Sequence, residues 1–275
     1  MTDRYAVFGN PINHSKSPDI HKAFAAGTAQ DLTYEAVCVP EDSFSDYVAD
    51  FLSGSGRGLN ITIPFKQDAW ELSEVLSPRA ELAGAVNTLY KNDAGQLCGD
   101  NTDGIGMVRD IVRNHGGEIQ NKKVLILGAG GAVRGVLQPV LEEKPSKLVI
   151  ANRTASKAVE LAELVGDLGD VSGCGYDTLP EECFDLVING TAASLNGEVP
   201  PISATLLAEG AWCYDMMYLA EPTAFCLWAS ENGAEKVMDG LGMLVEQAAA
   251  SFQIWRGVEP DSKAVINKIR NSLTG

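Results

Sequence analysis

Hydrophobic and polar positions alternate along the chain in a way that predicts an α/β fold. Short apolar runs typical of strands are separated by longer stretches with helical spacing. In the first part of the chain, helices are expected near residues 18–26 and 43–52. The strands predicted there are RYAVFG, YEAVCV, LNITI and AVNTLY, and the last one enters a hairpin through the polar segment KNDAGQ.

A second and more regular set of strands begins after residue 114. It consists of KVLILG, KLVIAN, DLVING and GAWCYDM, with predicted helices between them. No Gly/Ser linker separates the two sets, so the boundary is expected within residues 101–114. This change of pattern predicts two domains that share a rigid connection, with a cleft between them.

Charge narrows the classes of partner. The 275 residues (29.2 kDa) carry a formal net charge of -16 without a long block of either sign. Such a field repels nucleic acid and anionic membrane surfaces, whereas a few local cations can still bind a small anion. There is no apolar run of about 18 residues and no signal-like N-terminus, so a cytoplasmic protein without a membrane segment is expected.

A metal site is not expected. The chain has six cysteines without a CxxC pair, and only three histidines. Scattered cysteines in a chain of this kind are predicted to be small buried hydrophobic residues rather than ligands.

Glycines crowd the turn that follows KVLILG, at Gly128, Gly130 and Gly131. Glycine lets the backbone approach a pyrophosphate, and the N-terminus of the next helix supplies N–H groups and a positive dipole. Val133 stands where the GxGxxG pattern has its third glycine. A tight structural turn is therefore the alternative to a dinucleotide site.

The end of the next strand indicates which dinucleotide is bound. An NAD site usually has an acidic residue there, whereas this chain has Asn152, Arg153 and Thr154. Arg153 can pair with a 2′-phosphate, which favours NADP, and an ordinary surface arginine is the alternative. Lys157, one helical turn further, is a weaker phosphate candidate.

Lys66 follows the strand LNITI and the residue Pro64. Proline favours the first helical position, so a helix is predicted to begin at Pro64 with Lys66 in its first turn. A cation at this positive end of a helix is disfavoured, which suits a lysine that exchanges a proton; a solvated surface lysine is the alternative. Asp103, in GDNTDG, is a candidate partner, and an N-cap aspartate is its alternative.

Hydroxyl and amide groups supply the remaining polar candidates. Ser15 and Ser17 flank Lys16 at a predicted helix N-terminus, where they could cap the helix or hold a carboxylate. Gln247 lies among apolar residues of a predicted helix, where a polar side chain needs a partner.

Taken in order, nine segments of the chain resemble the shikimate dehydrogenase family. They are NPINHSKSP, LNITIPFK, GAVNTL, GDNTDG, GAGGAVRG, ANRT, INGT, YDMMY and DGLGMLVEQAA. The resemblance implies an N-terminal α/β substrate domain, completed by C-terminal helices, and an inserted Rossmann-type NADP-binding domain. On this basis residues 1–101 with 239–275 are expected to form the substrate domain, and 102–238 the Rossmann domain.

The resemblance also implies an activity. In the family, NADPH reversibly reduces 3-dehydroshikimate to shikimate in aromatic amino acid biosynthesis. It implies that Lys66 and Asp103 are the catalytic acid–base pair, and that Ser15 and Ser17 hold the substrate carboxylate. The full set of implied substrate-binding residues is Ser15, Ser17, Asn60, Thr62, Asn87, Tyr218 and Gln247. The implied cofactor-binding residues are Gly128, Ala129, Gly130, Gly131, Ala132, Asn152, Arg153, Thr154, Lys157, Asn189, Thr191, Met216, Gly240 and Met243.

Two departures from the family pattern spare the implied catalytic groups. Lys22 replaces an asparagine after the SPxIH segment, and Thr223-Ala224 replaces the usual Thr-Pro. Two alternatives stay open: a relative acting on quinate or aminoshikimate, or with NAD, and a non-catalytic nucleotide-binding sensor. A monomer or a homodimer is expected.

Overall fold

The two predicted sets of strands form two separate sheets in the computed structural model, which describes residues 2–274. The predicted α/β class is confirmed. The chain divides into two units: residues up to Gly106 with Val245–Ile269, and Met107–Leu244 with the residues from Arg270 onward. These divisions fall at 106 and 244, where the sequence predicts 101 and 238. The substrate-binding and NADP-binding roles expected for the two domains stay predictions.

The first unit contains a six-stranded mixed sheet in the order β2-β1-β3-β5-β6-β4. Its strands are β1 (Asp3–Gly9), β2 (Leu32–Cys38), β3 (Gly56–Ile61), β4 (Val75–Leu76), β5 (Thr88–Lys91) and β6 (Leu97–Asp100). The helices of this part are α1 (Ser17–Gly27), α2 (Phe44–Ser53), α3 (Lys66–Leu72), α4 (Pro78–Ala83) and α5 (Asp103–Arg109). The helices predicted near 18–26 and 43–52 and the hairpin are confirmed. The ends of these helices are shifted by about one residue, and the strand predicted as AVNTLY begins at Thr88 rather than at Ala85.

The second unit contains a six-stranded, entirely parallel sheet in the order β12-β11-β10-β7-β8-β9. Its strands are β7 (Lys123–Leu127), β8 (Lys147–Asn152), β9 (Val171–Gly175), β10 (Phe184–Asn189), β11 (Leu207–Asp215) and β12 (Lys236–Met238). Its helices are α6 (Gly131–Glu142), α7 (Ala155–Leu164) and α8 (Ala224–Glu231). The last two helices of the chain are α9 (Leu241–Arg256) and α10 (Ser262–Thr274).

Burial explains why the apolar runs become strands. In the first unit, alternate residues of neighbouring strands, such as Phe8, Leu59 and Ile61, enter one apolar cluster. In the second unit β7 and β10 are buried almost along their whole length, as expected for the centre of a parallel sheet covered on both faces. Fully burying an aliphatic or aromatic side chain stabilises a fold by about 1.5–3 kcal/mol. Burial therefore favours the assembly of these apolar runs into sheets.

The helix that carries Lys66 begins later than predicted. Pro64 was expected at its first position, but α3 starts at Lys66. The Phe65 N–H bonds the Thr62 carbonyl in a separate turn, and the first helical bond runs from Ala69 N to the Phe65 carbonyl. Lys66 nevertheless lies in the first turn of its helix, as predicted.

The cysteine prediction is correct only in part. All six cysteines are free; Cys98, Cys213 and Cys226 are buried, whereas Cys38 and Cys183 are exposed. Among residues 2–274, no three or more His, Cys, Asp or Glu side chains are grouped so that they could bind a metal ion. Within the same range, no helix combines the length and the apolar character needed to cross a membrane.

Candidate active site

Four polar segments meet at one edge of the sheet in the first unit. The loop 10–16 follows β1 and the segment 62–65 follows the parallel strand β3. Strands β5 and β6 run antiparallel, so Asn87 before β5 and Asp103 after β6 reach the same edge. The sheet therefore brings together side chains that are far apart in sequence.

Lys66 and Asp103 form an ion pair. Lys66 Nζ lies 2.6 Å from Asp103 Oδ2, and the two side chains are 30% and 17% exposed. The Lys66 carbonyl accepts a hydrogen bond from Val86 N at 2.8 Å, which fixes the lysine backbone against the segment before β5. Lys66 is thus a partly buried, paired cation rather than a freely solvated surface lysine, yet its ammonium group remains reachable by a small molecule.

Asn87 holds the other carboxylate oxygen of Asp103. Its Nδ2 donates to Asp103 Oδ1 at 2.8 Å, while its Oδ1 accepts from Thr102 N at 2.9 Å. A backbone N–H can only donate, so the Thr102 contact fixes which end of the Asn87 amide faces Asp103. Asp103 is therefore held from two sides, by Asn87 and by Lys66, rather than serving mainly as a helix cap.

Asn60 is buried in a polar cluster that contacts Asn87, the residue that holds Asp103. Its Oδ1 accepts from Tyr34 Oη at 2.8 Å and lies 3.1 Å from His21 Nε2. Its Nδ2 donates to Ser251 Oγ at 2.9 Å and to the Asn87 carbonyl at 3.1 Å. With only 6% of its surface exposed, Asn60 uses its amide within the protein, and its implied contact with substrate stays a prediction.

Helix α9 adds two residues to this cluster. Gln247 Oε1 accepts from Asn87 Nδ2 at 3.3 Å, and Ser251, one helical turn later, is fully buried. Ser251 Oγ also lies 2.8 Å from Thr88 Oγ1. Ser251 is absent from the residues that the sequence singles out, although its spacing of four from Gln247 placed it on the same helix face.

The loop after β1 lies against the segment after β3. A Cβ atom at Gly9 would collide with Thr62 Cγ2, and Asn10 N donates to the Ile63 carbonyl at 3.0 Å. The N-cap of α1 is Lys16, without a side-chain cap bond, while Ser15 Oγ accepts from Ser17 N at 3.3 Å. Capping by Ser17 is therefore not what the structure shows.

His21 is a buried neutral histidine that makes the stability of the fold depend on pH. Burial lowers the pKa of its imidazole from 6.5 to about 3, although the hydrogen bond to Asn60 opposes this shift. Its stabilising contribution is complete above the unfolded pKa of 6.5 and is lost as the pH falls towards about 3. Within that window we expect the free energy of unfolding to fall by about 1.4 kcal/mol per pH unit from this group.

Urea unfolding of the wild type and of His21→Gln across that window measures this effect. Glutamine can still donate to Asn60, so the variant should fold. Its free energy of unfolding should depend less steeply on pH than that of the wild type, by the amount that corresponds to about one proton. His14→Gln, which alters an exposed histidine, is the matched control and should keep the wild-type slope. An identical slope in wild type and His21→Gln would show that His21 is not the titrating group.

In the second unit, the glycine turn fits an anionic group. Gly128 has φ +107°, a conformation that favours glycine, and its N–H bonds the Ala151 carbonyl at 2.7 Å. Added Cβ atoms at Gly130 and Gly131 would meet nothing within 4 Å. The N-terminus of α6 has no acidic residue in its first turn and opens to this free space, flanked by the partly or fully exposed Ala129 and Ala132. Its N–H groups and dipole suit a dinucleotide phosphate.

The candidates for recognition of the 2′-phosphate lie at the end of the adjacent strand. Strand β8 pairs with β7, so Asn152 ends beside the glycine turn. Asn152 Nδ2 donates to the Thr154 carbonyl at 2.9 Å, which shapes the turn into α7. Arg153, Thr154 and Lys157 are exposed, so all three can reach a ligand at this edge.

Residues that end or follow β10, β11 and β12 are the remaining cofactor candidates. Asn189 ends β10, and its Oδ1 accepts from the Thr191 N–H at 3.1 Å and from Thr191 Oγ1 at 2.7 Å. Gly240 N donates to the Met217 carbonyl at 3.0 Å, and a Cβ at Gly240 would collide with the Met216 carbonyl. All of these residues belong to the second unit. Two further candidates of the same unit are Met243 and Tyr218.

Known proteins resemble the chain over nearly its whole length. A relative from Alkalilimnicola ehrlichii, named shikimate dehydrogenase (NADP(+)), is 57% identical over 270 residues, which cover 98% of this chain and 99% of the relative. The chain belongs to the shikimate dehydrogenase family. A relative of the same name from Cellvibrio japonicus is 58% identical over 273 residues, covering 99% of each chain.

Family descriptions match three parts of this shikimate dehydrogenase family member. Residues 7–89 match the shikimate dehydrogenase substrate binding domain, 110–196 match shikimate / quinate 5-dehydrogenase, and 240–270 match the shikimate 5′-dehydrogenase C-terminal domain. Among solved structures, shikimate 5-dehydrogenase from Thermus thermophilus in complex with NADP(H) and shikimate has a TM-score of 0.86 at 31% identity. That alignment covers 99% of this chain and all of the other. The family membership expected from the motifs is thus confirmed.

Several residues of this family member were not singled out from its sequence. In the first unit they are His21, Tyr34, Thr88, Thr102 and Ser251, which orient the amides of Asn60 and Asn87. Most of these contacts join residues far apart in sequence, with separations of up to 191 positions. Apart from the spacing of four between Gln247 and Ser251, no local spacing signalled them.

Proposed function

We propose that this protein catalyses the reversible, NADPH-dependent reduction of 3-dehydroshikimate to shikimate. One observation carries the proposal: a lysine and an aspartate are 2.6 Å apart and partly open to solvent, with the aspartate fixed by Asn87. Reduction of a ketone requires a hydride and a proton, and this pair supplies a positioned proton donor. The relatives named shikimate dehydrogenase (NADP(+)) support both the substrate and the cofactor.

Lys66 is the proton donor of the proposed mechanism. In the reducing direction its ammonium group donates a proton to the oxygen that gains negative charge as the carbonyl carbon is reduced. In the oxidising direction the neutral amine takes that proton from the substrate hydroxyl. Asp103 keeps Lys66 Nζ in place through their 2.6 Å contact, so the proton donor stays oriented from one turnover to the next.

Substrate orientation is assigned to the polar groups around this pair. We assign Ser15 and Ser17 to the carboxylate, because both lie at the start of α1, where N–H groups and the dipole favour an anion. Thr62, Asn87 and Gln247 then face the ring hydroxyls, and Asn60 acts chiefly by holding Asn87. Tyr218 is assigned a contact with the substrate on the strength of the family resemblance.

NADP, when bound, supplies the hydride. We assign its phosphates to Gly130, Gly131 and the first N–H groups of α6, where the free space above the turn and the absence of acidic residues suit an anion. Arg153 is assigned the 2′-phosphate, with Thr154 and Lys157 beside it. Asn189, Thr191, Met216, Gly240 and Met243 are assigned to the nicotinamide half.

Replacing Arg153 by aspartate should change cofactor preference. The guanidinium can make bidentate, charge-assisted bonds to the 2′-phosphate, and a carboxylate would repel it. Since such bonds contribute about 1.5–3 kcal/mol each, we expect the KM for NADPH to rise by about 10²-fold and that for NADH to change little. Initial rates with both cofactors measure the ratio.

Lys144→Asp is the matched control for Arg153→Asp. Lys144 is exposed and precedes β8, at the opposite edge of the sheet from the glycine turn. The charge change is the same, so this variant should retain the wild-type ratio of KM values. An equal rise in the KM for NADPH in the two variants would show that the effect comes from overall charge rather than from a contact with the 2′-phosphate.

Comparing substrates and cofactors tests the proposed function. Purified protein is assayed with shikimate, quinate and aminoshikimate, each with NADP and with NAD. The proposal predicts the highest kcat/KM for shikimate with NADP. A higher value for quinate or aminoshikimate, or with NAD, would favour the corresponding relative, and NADPH binding without turnover of any of the three would favour a nucleotide-binding sensor.

A cytoplasmic location and a monomeric or homodimeric state belong to the same proposal. Both ligands are small metabolites, and the net charge of -16 opposes binding to nucleic acid.

A further inference from the structure

Asp215, the last residue of β11, is a fully buried carboxylate to which neither the sequence motifs nor the proposed mechanism assigns a role. Removing a carboxylate from water is unfavourable unless hydrogen bonds replace its hydration. Four donors surround it here. Asn189 Nδ2 and Met217 N lie 3.1 and 3.0 Å from Oδ1, and the hydroxyls of Ser194 and Thr223 each lie 2.6 Å from Oδ2.

The two hydroxyl contacts have the length of bonds to an ionised acceptor. O–H···O⁻ bonds typically measure about 2.5–2.7 Å, shorter than those between neutral groups. Burial raises the pKa of Asp215, and the bonds from Ser194, Thr223, Met217 and Asn189 oppose that rise. A group with this many donors and no basic partner among them is suited to fixing several segments at once.

The four donors come from separate segments at the carboxyl edge of the sheet. Asn189 ends β10, Ser194 lies in the loop that follows it, Met217 lies in the turn after β11, and Thr223 caps α8. Thr223 Oγ1 also accepts from Cys226 N at 3.2 Å, so Asp215 is connected to the start of that helix. Asp215 is therefore the point at which the connections after β10 and β11 are joined.

Through Asn189, the network of hydrogen bonds around Asp215 extends to the glycine turn. The Asp215 contact orients the Asn189 amide so that its Oδ1 accepts both bonds from Thr191. Thr191 in turn lies beside Gly128, where an added Cβ would be 3.1 Å from Thr191 Cγ2. A rotation of the Asn189 amide would break the Thr191 contacts next to the proposed dinucleotide site.

Through Met217, the network also fixes Met216. The sulfur of Met216 would lie 3.1 Å from a Cβ added at Gly190, and Gly240 packs on the Met216 backbone. Met216 is thus held between the loop after β10 and Gly240. Both Met216 and Gly240 are assigned above to the nicotinamide half of the cofactor.

We propose that Asp215 is a positioning residue for the nicotinamide half of the cofactor, acting through Asn189 and the Met216–Met217 turn. The inference rests on the proposed NADP site of the second unit. Asp215 has no exposed surface, so it acts on the ligand only by holding these two segments. If Asp215 had a purely structural role, its replacement would instead weaken the binding of both halves of the cofactor equally, or of neither.

Two ligands separate these roles by titration calorimetry: NADPH, and adenosine 2′,5′-bisphosphate, which lacks the nicotinamide half. In Asp215→Asn, an amide cannot accept from both the N–H pair and the hydroxyl pair. We expect the Kd for NADPH to rise about tenfold or more, with the Kd for the bisphosphate within about twofold of wild type. Leu141→Ala, a cavity-forming variant of the same unit at the far end of α6, is the control for lost stability and should leave the ratio of the two Kd values unchanged.

A second pair of variants keeps the test decisive if Asp215→Asn does not fold. Thr223→Ser retains the hydroxyl that donates to Asp215 and should behave as wild type, whereas Thr223→Val removes it and should raise the NADPH Kd selectively. In addition, Asn189→Ala combined with Asp215→Asn should raise the Kd for NADPH by less than the product of the two single effects, because the two changes share the contact between Asp215 and Asn189.

The outcomes distinguish this inference from the proposed function. Equal weakening of both ligands, or no weakening of either, in Asp215→Asn and Thr223→Val would overturn the positioning role alone. If the wild type binds the bisphosphate but not NADPH, or neither ligand, both the cofactor assignment and this inference are wrong.

Discussion

The Lys66→Ala variant is expected to lose most of its turnover, with kcat lower by about 10² to 10⁴-fold. This is the usual contribution of a positioned proton donor, and no other cation is paired with Asp103 in residues 2–274. The glycine turn lies in the other unit, so the Kd for NADPH should stay at its wild-type value. Steady-state kinetics with shikimate and NADP, together with NADPH titration, measure both quantities.

Lys91→Ala is the matched control for this prediction. Lys91 ends β5 in the same unit and is exposed, so its loss removes one positive charge without touching the pair. Its kcat should equal that of wild type. Turnover at the wild-type level in Lys66→Ala would remove Lys66 from the mechanism.

The Asp103→Asn variant should show the second largest loss, a decrease in kcat of about 10²-fold. Asn87 Nδ2 donates to Oδ1 of residue 103, so the amide oxygen of an asparagine there would turn towards Asn87. Its NH₂ group would then face Lys66 Nζ, and two donors cannot bond each other. The ammonium group would lose its anchor and its orientation, which removes part of the proton-transfer rate.

Asp68→Asn, which alters an exposed residue of α3, is the matched control and should leave kcat at its wild-type value. Because the two residues act as a unit, the double variant Lys66→Ala with Asp103→Asn should be no slower than Lys66→Ala alone. A double variant whose loss equals the product of the two single losses would contradict the proposed pairing.

Local pattern was sufficient to predict most of the strands and many of the helices, but not the strands β4, β9 and β12. Apolar runs such as LNITI and KVLILG are buried in the centres of sheets, so hydrophobicity and structure agree there. The start of α3 was harder, because proline is also favoured in the turn before a helix. The backbone turn from Thr62 to Phe65 decided it, and nothing in the local sequence distinguished the two positions.

The candidate site was predictable only as far as its motifs. Lys66 was unusual by its position, yet its pairing with Asp103 depended on the ordered resemblance, since 37 residues separate them. Ser251 and Asp215 were missed because their roles arise from contacts across 191 and 26 residues, in the Asn60 and Asn189 networks respectively. Such roles follow from how strands are ordered in a sheet, which periodicity does not reveal.

The most direct test is to incubate the wild-type protein with shikimate and NADP. NADPH is followed by its absorbance, and the organic product is identified by chromatography and mass spectrometry. We expect NADPH and 3-dehydroshikimate in equal amounts, with the rate lost in Lys66→Ala. If the protein binds NADP and shikimate but forms neither product, the proposed dehydrogenase activity is wrong.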